Sequence, residues 1–418
     1  MENEYDYPED WKAFSKKIEN ETTNPKNGVY CVLLIGPKNS GKTTFLMENI
    51  RLVANSNPSS HIYVLDCDLG QPLISPPNCV KLVRWNRAKF RISERNINAL
   101  PDLMFYVGGN SPINYPLRYI KIVRECIYHV QDLKGKNNIS LFLNLPGWIT
   151  GVGSEILSII TSLCIEVSDR VVVGFTKQVE DNKLIDDISL NMNKLFNVFQ
   201  MKDRFDTDFS IRGFEKTDVF ITQLSDLFIN QEGNNEVSNN SNTLIYFDSY
   251  ICYFSTELQR SSRVIHYPFN SICIVPSLNT TMNSYQLQYH IEYRLTNSVV
   301  GLCIFRDKDN RYIPDFSETG ELNVLETDMF FPCIGFGVVH HINYKSKRIV
   351  IIAPDHIPSS NLLEINVIQL TEIMLPYNYS FYSSNPYICR KDTIIQGSYS
   401  GGKVPCSRKN VKRKIHNI

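Results

Sequence analysis

A glycine-rich loop near the amino end of the chain constrains its fold more than any other feature. Residues Gly36–Thr43 read GPKNSGKT and fit the pattern G-x-x-x-x-G-K-[ST]. The apolar run Val29–Ile35 comes directly before this loop, and apolar residues follow at helical spacing from Thr43 to Val53. A buried strand, a glycine-rich loop and a helix in this order are typical of a phosphate-binding P-loop. The chain is therefore predicted to bind a nucleotide.

Each position of the loop has a physical role in holding phosphate. Glycines let the backbone N–H groups curve around phosphate oxygens, and the positive end of the following helix lies beneath them. Lys42 is expected to reach the β and γ phosphates of ATP, and the Thr43 hydroxyl is expected to ligate Mg²⁺. The predicted nucleotide contacts are Gly36, Lys38, Asn39, Ser40, Gly41, Lys42, Thr43 and Thr44.

Apolar runs and helical spacings alternate beyond the loop. Further buried strands are predicted at 62–65, 103–107, 139–143 and 171–173, and helices at 117–130 and 155–165. Strands that alternate with helices indicate a parallel sheet with right-handed crossovers. The expected fold class is α/β, with a P-loop NTPase-type parallel sheet flanked by helices.

The character of the sequence changes at several points, which predicts the domain organisation. A polar, asparagine-rich segment at about 229–242 is expected to be a loop. Short strand-like pieces separated by turns follow residue 267 and predict a smaller, mainly β domain. The predicted parts are a polar extension at 1–27 with a short helix around Trp11–Ile18, a P-loop domain at 28–266, the β domain at 267–400 and a basic tail at 401–418.

Composition excludes some classes of protein. The 418 residues have a formal net charge of +0, so any affinity for nucleic acid must come from a local patch. The 11 cysteines show no C-x-x-C pair or metal-type spacing, which indicates buried thiols in a reducing compartment. The acidic amino end predicts no signal peptide, and no apolar run is long enough to predict a membrane span.

Two carboxylates, Asp66 and Asp68, follow the predicted second strand. Parallel strands deliver functional groups at their carboxyl ends, beside the P-loop. One carboxylate is expected to hold the Mg²⁺ shell, to which Asp66 is assigned, and the other to accept a proton from an attacking hydroxyl. Asp68 is the first choice for the base, with Asp66 as the alternative. The other interpretation is an aspartate-rich turn that only ends a strand.

Two further segments are candidates for holding a polynucleotide. Trp148 follows the predicted fourth strand, where an indole can stack on a terminal base without reading its identity. The alternative is an indole packed in the core. Gly108, Gly109 and Asn110 would offer N–H groups and an amide to a substrate phosphate, and the alternative is an ordinary turn after a strand.

Several segments resemble the nucleolar polynucleotide 5′-hydroxyl kinases of pre-rRNA processing, which are related to the kinase subunit of the pre-mRNA cleavage factor. The matching segments are DCDLGQ at 66–71, SPP at 75–77, GGNSP at 108–112, NLPGW at 144–148, NSVVGL at 297–302, CIGFGVV at 333–339 and NPY at 385–387. The chain departs from the family at Leu145, where the family has threonine, so one hydroxyl near the substrate is lost.

The resemblance implies an enzyme that uses ATP and Mg²⁺ to transfer the γ-phosphate to the 5′-hydroxyl end of single-stranded RNA, or of DNA. It implies rRNA processing in the nucleus and nucleolus, with a HEPN-type endoribonuclease as partner and a 5′→3′ exonuclease acting downstream. The implied substrate contacts are Gln71, Gly109, Asn110, Ser111 and Trp148. Arg260 and Arg263 are the candidate lid arginines, and the alternative is a pair of solvated side chains.

Other functions fit part of the same pattern. A catalytically weak nucleotide-binding scaffold for the endoribonuclease stays open because of Leu145 and the unplaced lid. A GTPase is disfavoured because the chain has no Asn-Lys-x-Asp or Thr-Lys-x-Asp motif, and a small-molecule kinase would need neither Trp148 nor a β domain. The basic tail is interpreted as an RNA contact, a nuclear address or a solvated end.

Overall fold

The computed structural model divides the chain into two compact units, residues 1–249 and 250–418. The sequence predicted a boundary at 266/267 instead. The strand Ser262–Pro268 accounts for the difference, because it pairs with Arg348–Pro354 in the sheet of the second unit. The structure describes residues 9–23, 28–38, 40–57, 61–85, 100–133, 138–177, 217–223, 262–276, 295–296, 298–305, 322–325 and 329–371.

The first unit is built on a seven-stranded sheet. Its strands are β1 (Gly28–Ile35), β2 (His61–Asp66), β3 (Cys79–Arg84), β4 (Leu103–Tyr106), β5 (Asn138–Asn144), β6 (Arg170–Lys177) and β7 (Thr217–Gln223). Its described helices are α1 (Glu9–Thr23), α2 (Lys42–Ser56), α3 (Pro116–Asp132) and α4 (Val152–Val167), and a short 3₁₀ helix, Pro112–Asn114, precedes α3. This confirms the predicted α/β class.

The order of strands brings three chain segments to one edge of the sheet. The order is β4-β3-β2-β5-β1-β6-β7, and β1, β2, β5, β6 and β7 run parallel. β3 runs antiparallel to both β2 and β4. Leu143 is in register with Leu33 of β1 on one side and with Leu65 of β2 on the other. The carboxyl ends of β1, β5 and β2 therefore lie side by side.

Two strands of this sheet, β3 and β7, were not predicted. β3 has the sequence CVKLVR, in which Lys81 interrupts an otherwise apolar run. The side chain of Lys81 is nevertheless buried, at 1% exposure. Charged residues are almost never buried unless they are paired. A lysine within an apolar run therefore argues against a buried strand, and for this reason β3 was not predicted.

Helix α1 belongs to the core of the first unit, although its residues were predicted as a polar extension. Trp11, Phe14 and Ile18 lie on its buried face, each at most 1% exposed. The ring of Trp11 meets the ring of Phe45 in α2 edge to face, with centroids 4.0 Å apart. Burying side chains of this kind stabilises a fold by about 1.5–3 kcal/mol each. Helix α1 therefore supports the helix that carries the P-loop lysine.

The second unit is built on a seven-stranded mixed sheet, of order β11-β9-β14-β10-β12-β13-β8. Its strands are β8 (Ser262–Pro268), β9 (Cys273–Val275), β10 (Val299–Cys303), β11 (Asn323–Val324), β12 (Cys333–Asn343), β13 (Arg348–Pro354) and β14 (Val367–Leu370). A short 3₁₀ helix, Phe269–Ser271, and the helix α5 (Ser359–Leu363) complete its described elements. The predicted mainly β character agrees with this architecture.

The described cysteines agree with the prediction of reduced, buried thiols. All eight of them are buried and free of disulfides. In the described part of the chain, no helix is both long and apolar enough to cross a membrane.

Candidate active site

The P-loop lies between β1 and α2, as its flanking sequence predicts. Gly41 has φ of 77°, a left-handed conformation that glycine adopts without steric cost, and α2 begins at the next residue. The first N–H groups of a helix have no partner within the helix, and they point out of its amino end. The turn at Gly41 therefore directs a set of backbone donors and the positive end of α2 into the loop.

The side chain of Lys42 folds back over the start of the P-loop. Its ammonium donates to the carbonyl oxygen of Gly36 at 2.8 Å and to that of Pro37 at 2.6 Å. Burial lowers the pKa of Lys42 to about 8, and the nearby charge of Asp68 opposes this by raising it. A buried ammonium bonded only to neutral carbonyls is incompletely compensated for its desolvation. Hydrogen bonds to anionic phosphate oxygens would be stronger than these.

The other predicted nucleotide contacts share this loop and the first turn of α2. The Ser40 hydroxyl donates to Pro37 O at 2.9 Å and so closes the loop on itself. The side chains of Lys38 and Thr44 are exposed. Asn39 lies outside the described residues. The roles of these residues in binding phosphate stay predictions.

Thr43 is joined to the strand end beside it. Its hydroxyl donates to Asn144 Oδ1 at 3.2 Å, and Asn144 is the last residue of β5. Since the hydroxyl hydrogen is directed to Asn144, the oxygen lone pairs of Thr43 are available to a cation, and hydroxyl and carboxylate oxygens suit Mg²⁺. Among the described residues, no group of three or more His, Cys, Asp or Glu side chains could hold a metal. Magnesium bound with a nucleotide does not need one, because water molecules and the substrate's phosphate oxygens fill most of its coordination positions.

Asp66 is fully buried and accepts five hydrogen bonds. Its Oδ2 accepts from the N–H groups of Leu73, Ile74 and Ser75 and from the Ser75 hydroxyl, all within 2.9 Å. Its Oδ1 accepts from Asn144 Nδ2 at 2.8 Å. Burial raises the pKa of Asp66, and these hydrogen bonds oppose that shift. Asp66 thus anchors the segment 73–75, and a direct bond from Asp66 to a metal stays a prediction.

Lys81 completes the surroundings of Asp66. The two residues are in register on β2 and β3, and the Lys81 ammonium donates to Ile74 O at 3.2 Å. Burial lowers the pKa of Lys81 to about 7, and the Asp66 charge opposes this. Sequence analysis missed Lys81 as a site-supporting residue. Its one signal is a lysine inside an apolar run, directly across a strand pair from a predicted site carboxylate.

We expect Asp66→Ala to destabilise the first unit by about 3–5 kcal/mol, because it removes the negative charge beside the buried Lys81 and the acceptor of five hydrogen bonds. Thermal unfolding followed by circular dichroism measures this. Asp68→Ala is the matched control and should cost about 1 kcal/mol, because Asp68 is half-buried and its partners are reached by water. Equal losses of stability in the two variants would contradict the anchoring role of Asp66.

Asp68 differs from Asp66 although it lies only two residues away. Its Oδ1 accepts from the N–H groups of Gly70 at 3.1 Å and Gln71 at 3.0 Å, which forms a local turn. Its Oδ2 has no hydrogen-bond partner among the described residues. Asp68 is half-buried and lies near enough to Lys42 to raise the pKa of that lysine. Of the two carboxylates, Asp68 therefore has the oxygen that can accept a proton.

The predicted polynucleotide segment lies beside the Asp68 turn. A Cβ on Gly70 would come within 3.1 Å of Asn110 O, so the backbones of the two loops touch. The side chain of Asn110 is exposed, and those of Gln71 and Ser111 are partly exposed. Gly109 is buried, and its backbone passes directly over Asn114. The geometry brings these four predicted substrate contacts together, next to Asp68.

Trp148 is half-buried, so it is neither a core indole nor a free one. Its ring packs against the first turn of α4, where a Cβ on Gly153 would lie 2.6 Å from Cγ of the indole. A Cβ on Gly147 would lie 2.6 Å from the Lys38 backbone nitrogen, so the preceding residue touches the P-loop. Leu145, in the same segment, is buried at 1% exposure. The turn 144–148 therefore joins the phosphate loop to an accessible aromatic ring.

Of the two candidate lid arginines, one lies among the residues that the structure describes. Arg260 lies outside the described residues, and Arg263 lies in β8 of the second unit. Arg263 pairs with Asp355 at 3.1 Å and donates to Ser359 Oγ at 2.7 Å and to the carbonyls of Asp355 and Ile357. A lid role for Arg263 stays a prediction, and it would require these local bonds to break.

Comparison with known proteins supports the same interpretation of the motifs. Residues 36–212 match the family described as the P-loop of the mRNA cleavage and polyadenylation factor CLP1. The polynucleotide 5′-hydroxyl-kinase GRC3 of Candida glabrata is 35% identical over 30% of this chain and 21% of its own length. GRC3 of Debaryomyces hansenii is 21% identical over 92% of the chain and 61% of its own length. The human polynucleotide 5′-hydroxyl-kinase NOL9 is 22% identical over 87% and 52%.

The chain thus spans less than two thirds of the length of each of these relatives. Among solved structures, a complex of wild-type Clp1p with Pcf11p matches with a TM-score of 0.53 at 12% identity, over 87% of this chain and 78% of the other. At that identity the match bears on the fold alone. The chain therefore carries a P-loop region of the CLP1 type, and along most of its length it is similar in sequence to the polynucleotide 5′-hydroxyl kinases.

Proposed function

We propose that this protein is an ATP-dependent polynucleotide 5′-hydroxyl kinase. One observation carries the proposal: the P-loop with its buried Lys42 and the half-buried Asp68, whose hydrogen bonds from the described residues all go to Oδ1, lie at the carboxyl end of one sheet. A phosphate donor and a group that accepts the proton of an attacking hydroxyl are what phosphoryl transfer requires. The names of the relatives that match most of the chain supply the class of acceptor.

The residues divide the reaction between them. The P-loop amides and Lys42 hold the β and γ phosphates of ATP, with Thr43 positioned to ligate magnesium. Mg²⁺, when bound, neutralises charge on the phosphate oxygens. The 5′-hydroxyl oxygen bonds to the γ-phosphorus as the bond from that phosphorus to the β,γ-bridging oxygen breaks. Asp68 Oδ2 takes the hydroxyl proton, and ADP leaves with the bridging oxygen.

Single-stranded RNA is the proposed acceptor. Trp148 supplies a sequence-tolerant stacking surface, and the 108–111 segment supplies backbone N–H groups and the Asn110 amide to the phosphate that follows the terminal nucleoside. Gln71 belongs to the turn that Asp68 forms, and its proposed role is to contact the terminal sugar as the 5′-hydroxyl approaches the Asp68 carboxylate. The lid remains unassigned between Arg260 and Arg263.

Label transfer from γ-labelled ATP tests the proposal. The acceptors are one RNA oligonucleotide with a 5′-hydroxyl and the same oligonucleotide with a 5′-phosphate, each with a DNA counterpart. We expect label only on the 5′-hydroxyl forms, because in the 5′-phosphate forms the 5′ oxygen is already esterified and cannot attack the γ-phosphorus. Binding of ATP without label transfer to any acceptor would instead favour the nucleotide-binding scaffold.

The biological setting is a further part of the proposal. A kinase of this kind follows a nuclease that leaves a 5′-hydroxyl end, and its product suits an exonuclease that requires a 5′-phosphate. We therefore propose a HEPN-type endoribonuclease as partner, a 5′→3′ exonuclease downstream, and rRNA processing in the nucleolus. The names of the NOL9 relatives are in keeping with that location. Co-purification of the protein with a nuclease and with spacer RNA checks it.

Replacing Trp148 should weaken acceptor binding more than turnover. Loss of one stacking surface costs about 1–3 kcal/mol, so Trp148→Ala should raise KM for the RNA about 5- to 150-fold. KM for ATP should change much less, and Trp148→Phe, which keeps a stacking ring, should recover most of the loss. Steady-state kinetics with each substrate varied in turn measures both. An unchanged KM for RNA in Trp148→Ala would place the indole in a packing role only.

A further inference from the structure

Asn144 lies between the P-loop and Asp66 and belongs to neither segment. It is the last residue of β5, the strand that lies between β1 and β2, and it is buried at 2% exposure. Its side chain bonds to Thr43 of the P-loop on one side and to Asp66 on the other, at 3.2 Å and 2.8 Å. It therefore joins the two chain segments on which the proposed reaction depends.

The chemistry of its neighbours fixes the orientation of the Asn144 amide. An ionised carboxylate can only accept hydrogen bonds, so Asp66 Oδ1 requires the NH₂ group of Asn144 to face it. This places Asn144 Oδ1 toward Thr43, and an amide oxygen can only accept. Thr43 must then donate its single hydrogen to Asn144. Rotating the amide by half a turn would set two acceptors against each other at Asp66.

We propose that Asn144 is a positioning residue for the divalent cation of the nucleotide. By holding the hydrogen of the Thr43 hydroxyl, it presents the oxygen lone pairs of Thr43 to the cation. Asp66 acts through Asn144 and not through a bond to the metal, which fits a carboxylate whose oxygens already accept five hydrogen bonds. This inference rests on the proposed function, since it concerns the cation that accompanies ATP.

A carboxylate would not serve at this position while Asp66 is present. Asn144→Asp would set two carboxylates at hydrogen-bond distance with no proton between them, and like charges so placed repel strongly. An amide is the side chain of this length that can donate to Asp66 and accept from Thr43 at the same time. The choice of asparagine at the end of β5 thus follows from the buried aspartate beside it.

The test is the magnesium dependence of ATP binding, measured by calorimetry on the full chain with excess chelator and at graded Mg²⁺ concentrations. We expect Asn144→Ala to bind free ATP as the wild type does. The Mg²⁺ concentration needed to tighten ATP binding should rise about 10- to 100-fold, as for other losses of outer-shell partners. Asn49→Ala is the matched control, because its buried amide donates to Phe45 O within α2, and it should leave the magnesium dependence unchanged.

A second variant keeps the test decisive if Asn144→Ala folds poorly. The double substitution Asp66→Asn with Asn144→Asp exchanges amide and carboxylate between the two positions. An amide at 66 can still accept from the segment 73–75 and donate to a carboxylate at 144, which can accept from Thr43. We expect it to recover at least half of the lost magnesium affinity on a logarithmic scale, and Asn144→Asp alone to recover none.

The outcomes separate this inference from the proposed function. If the wild type binds no ATP with or without magnesium, the proposed function fails. If the wild type shows magnesium-dependent binding and Asn144→Ala shows the same dependence, only the positioning role of Asn144 fails. A parallel fall in affinity for ATP with and without Mg²⁺ would also overturn it, because a purely structural residue gives that pattern.

Discussion

Lys42→Ala should abolish measurable phosphate transfer while the protein stays folded. The proposed role of Lys42 is to bring positive charge to the phosphates between which the bond breaks, and preorganised charge of this kind is worth about 1,000-fold in rate. The buried ammonium lies on the carbonyls of Gly36 and Pro37, at the mouth of the amide-lined loop. We therefore expect kcat/KM for ATP to fall by about that factor.

The stability of this variant has a definite sign. Burial lowers the pKa of Lys42 from its ordinary value of 10.5 to about 8, so the folded state holds the proton less tightly than the unfolded chain does. The buried cation thus destabilises the fold fully below the folded pKa and progressively less up to the unfolded pKa, and its removal near neutral pH should not lower the melting temperature. Lys121→Ala, on the exposed face of α3, is the matched control and should keep full activity. Substantial transfer by Lys42→Ala would sink the proposed phosphate site.

Asp68→Asn should lower kcat by about 100- to 10,000-fold, which is the usual range for loss of a general base. Asparagine keeps the oxygen that accepts from Gly70 and Gln71, so the turn survives while the proton acceptor is lost. ATP should bind as well as before or slightly better, because a negative charge near Lys42 is removed. Single-turnover kinetics combined with ATP calorimetry separates the two effects.

The contrast between the two aspartates sharpens this expectation. Asp66→Ala should act on stability, whereas Asp68→Asn should act on turnover with the melting temperature unchanged. Asp132→Asn, at the exposed end of α3, is the control for loss of a negative charge from the same unit. Full turnover by Asp68→Asn would show that the base lies elsewhere.

The division of labour between these aspartates could not be read from the sequence. Asp66 and Asp68 are the same residue type, two positions apart, at the end of one strand. Among the described residues, Asp68 bonds only to the turn that follows it, whereas Asp66 also accepts a hydrogen bond from Asn144, which lies 78 residues further along the chain. Lys81 lies on β3, which runs antiparallel to β2. A wholly parallel sheet was expected, so this neighbour of Asp66 was not predicted.

Local signals explain what could be predicted. The P-loop, β1 and α2 follow one another along the chain, so a motif and its flanking periodicity suffice to identify them. The polar composition of residues 1–27 predicted an extension with one short helix, and not a helix that packs in the core. The core contact of Trp11 is with Phe45, which lies 34 positions away in another element, so no local pattern indicates it. The pairing of β8 with β13 was not foreseen for a similar reason, because no local feature of Ser262–Pro268 indicates its partner strand.

The turn after β5 has a consequence for how such a protein can change over generations. Gly147 touches the backbone of the P-loop, and Gly153 touches the indole of Trp148. A side chain at Gly147 would collide with the P-loop backbone, and one at Gly153 would collide with the indole, so neither position takes a larger residue without a shift nearby. We therefore expect inherited changes in the proposed acceptor preference where side chains are exposed, as at Asn110, and not at these two glycines.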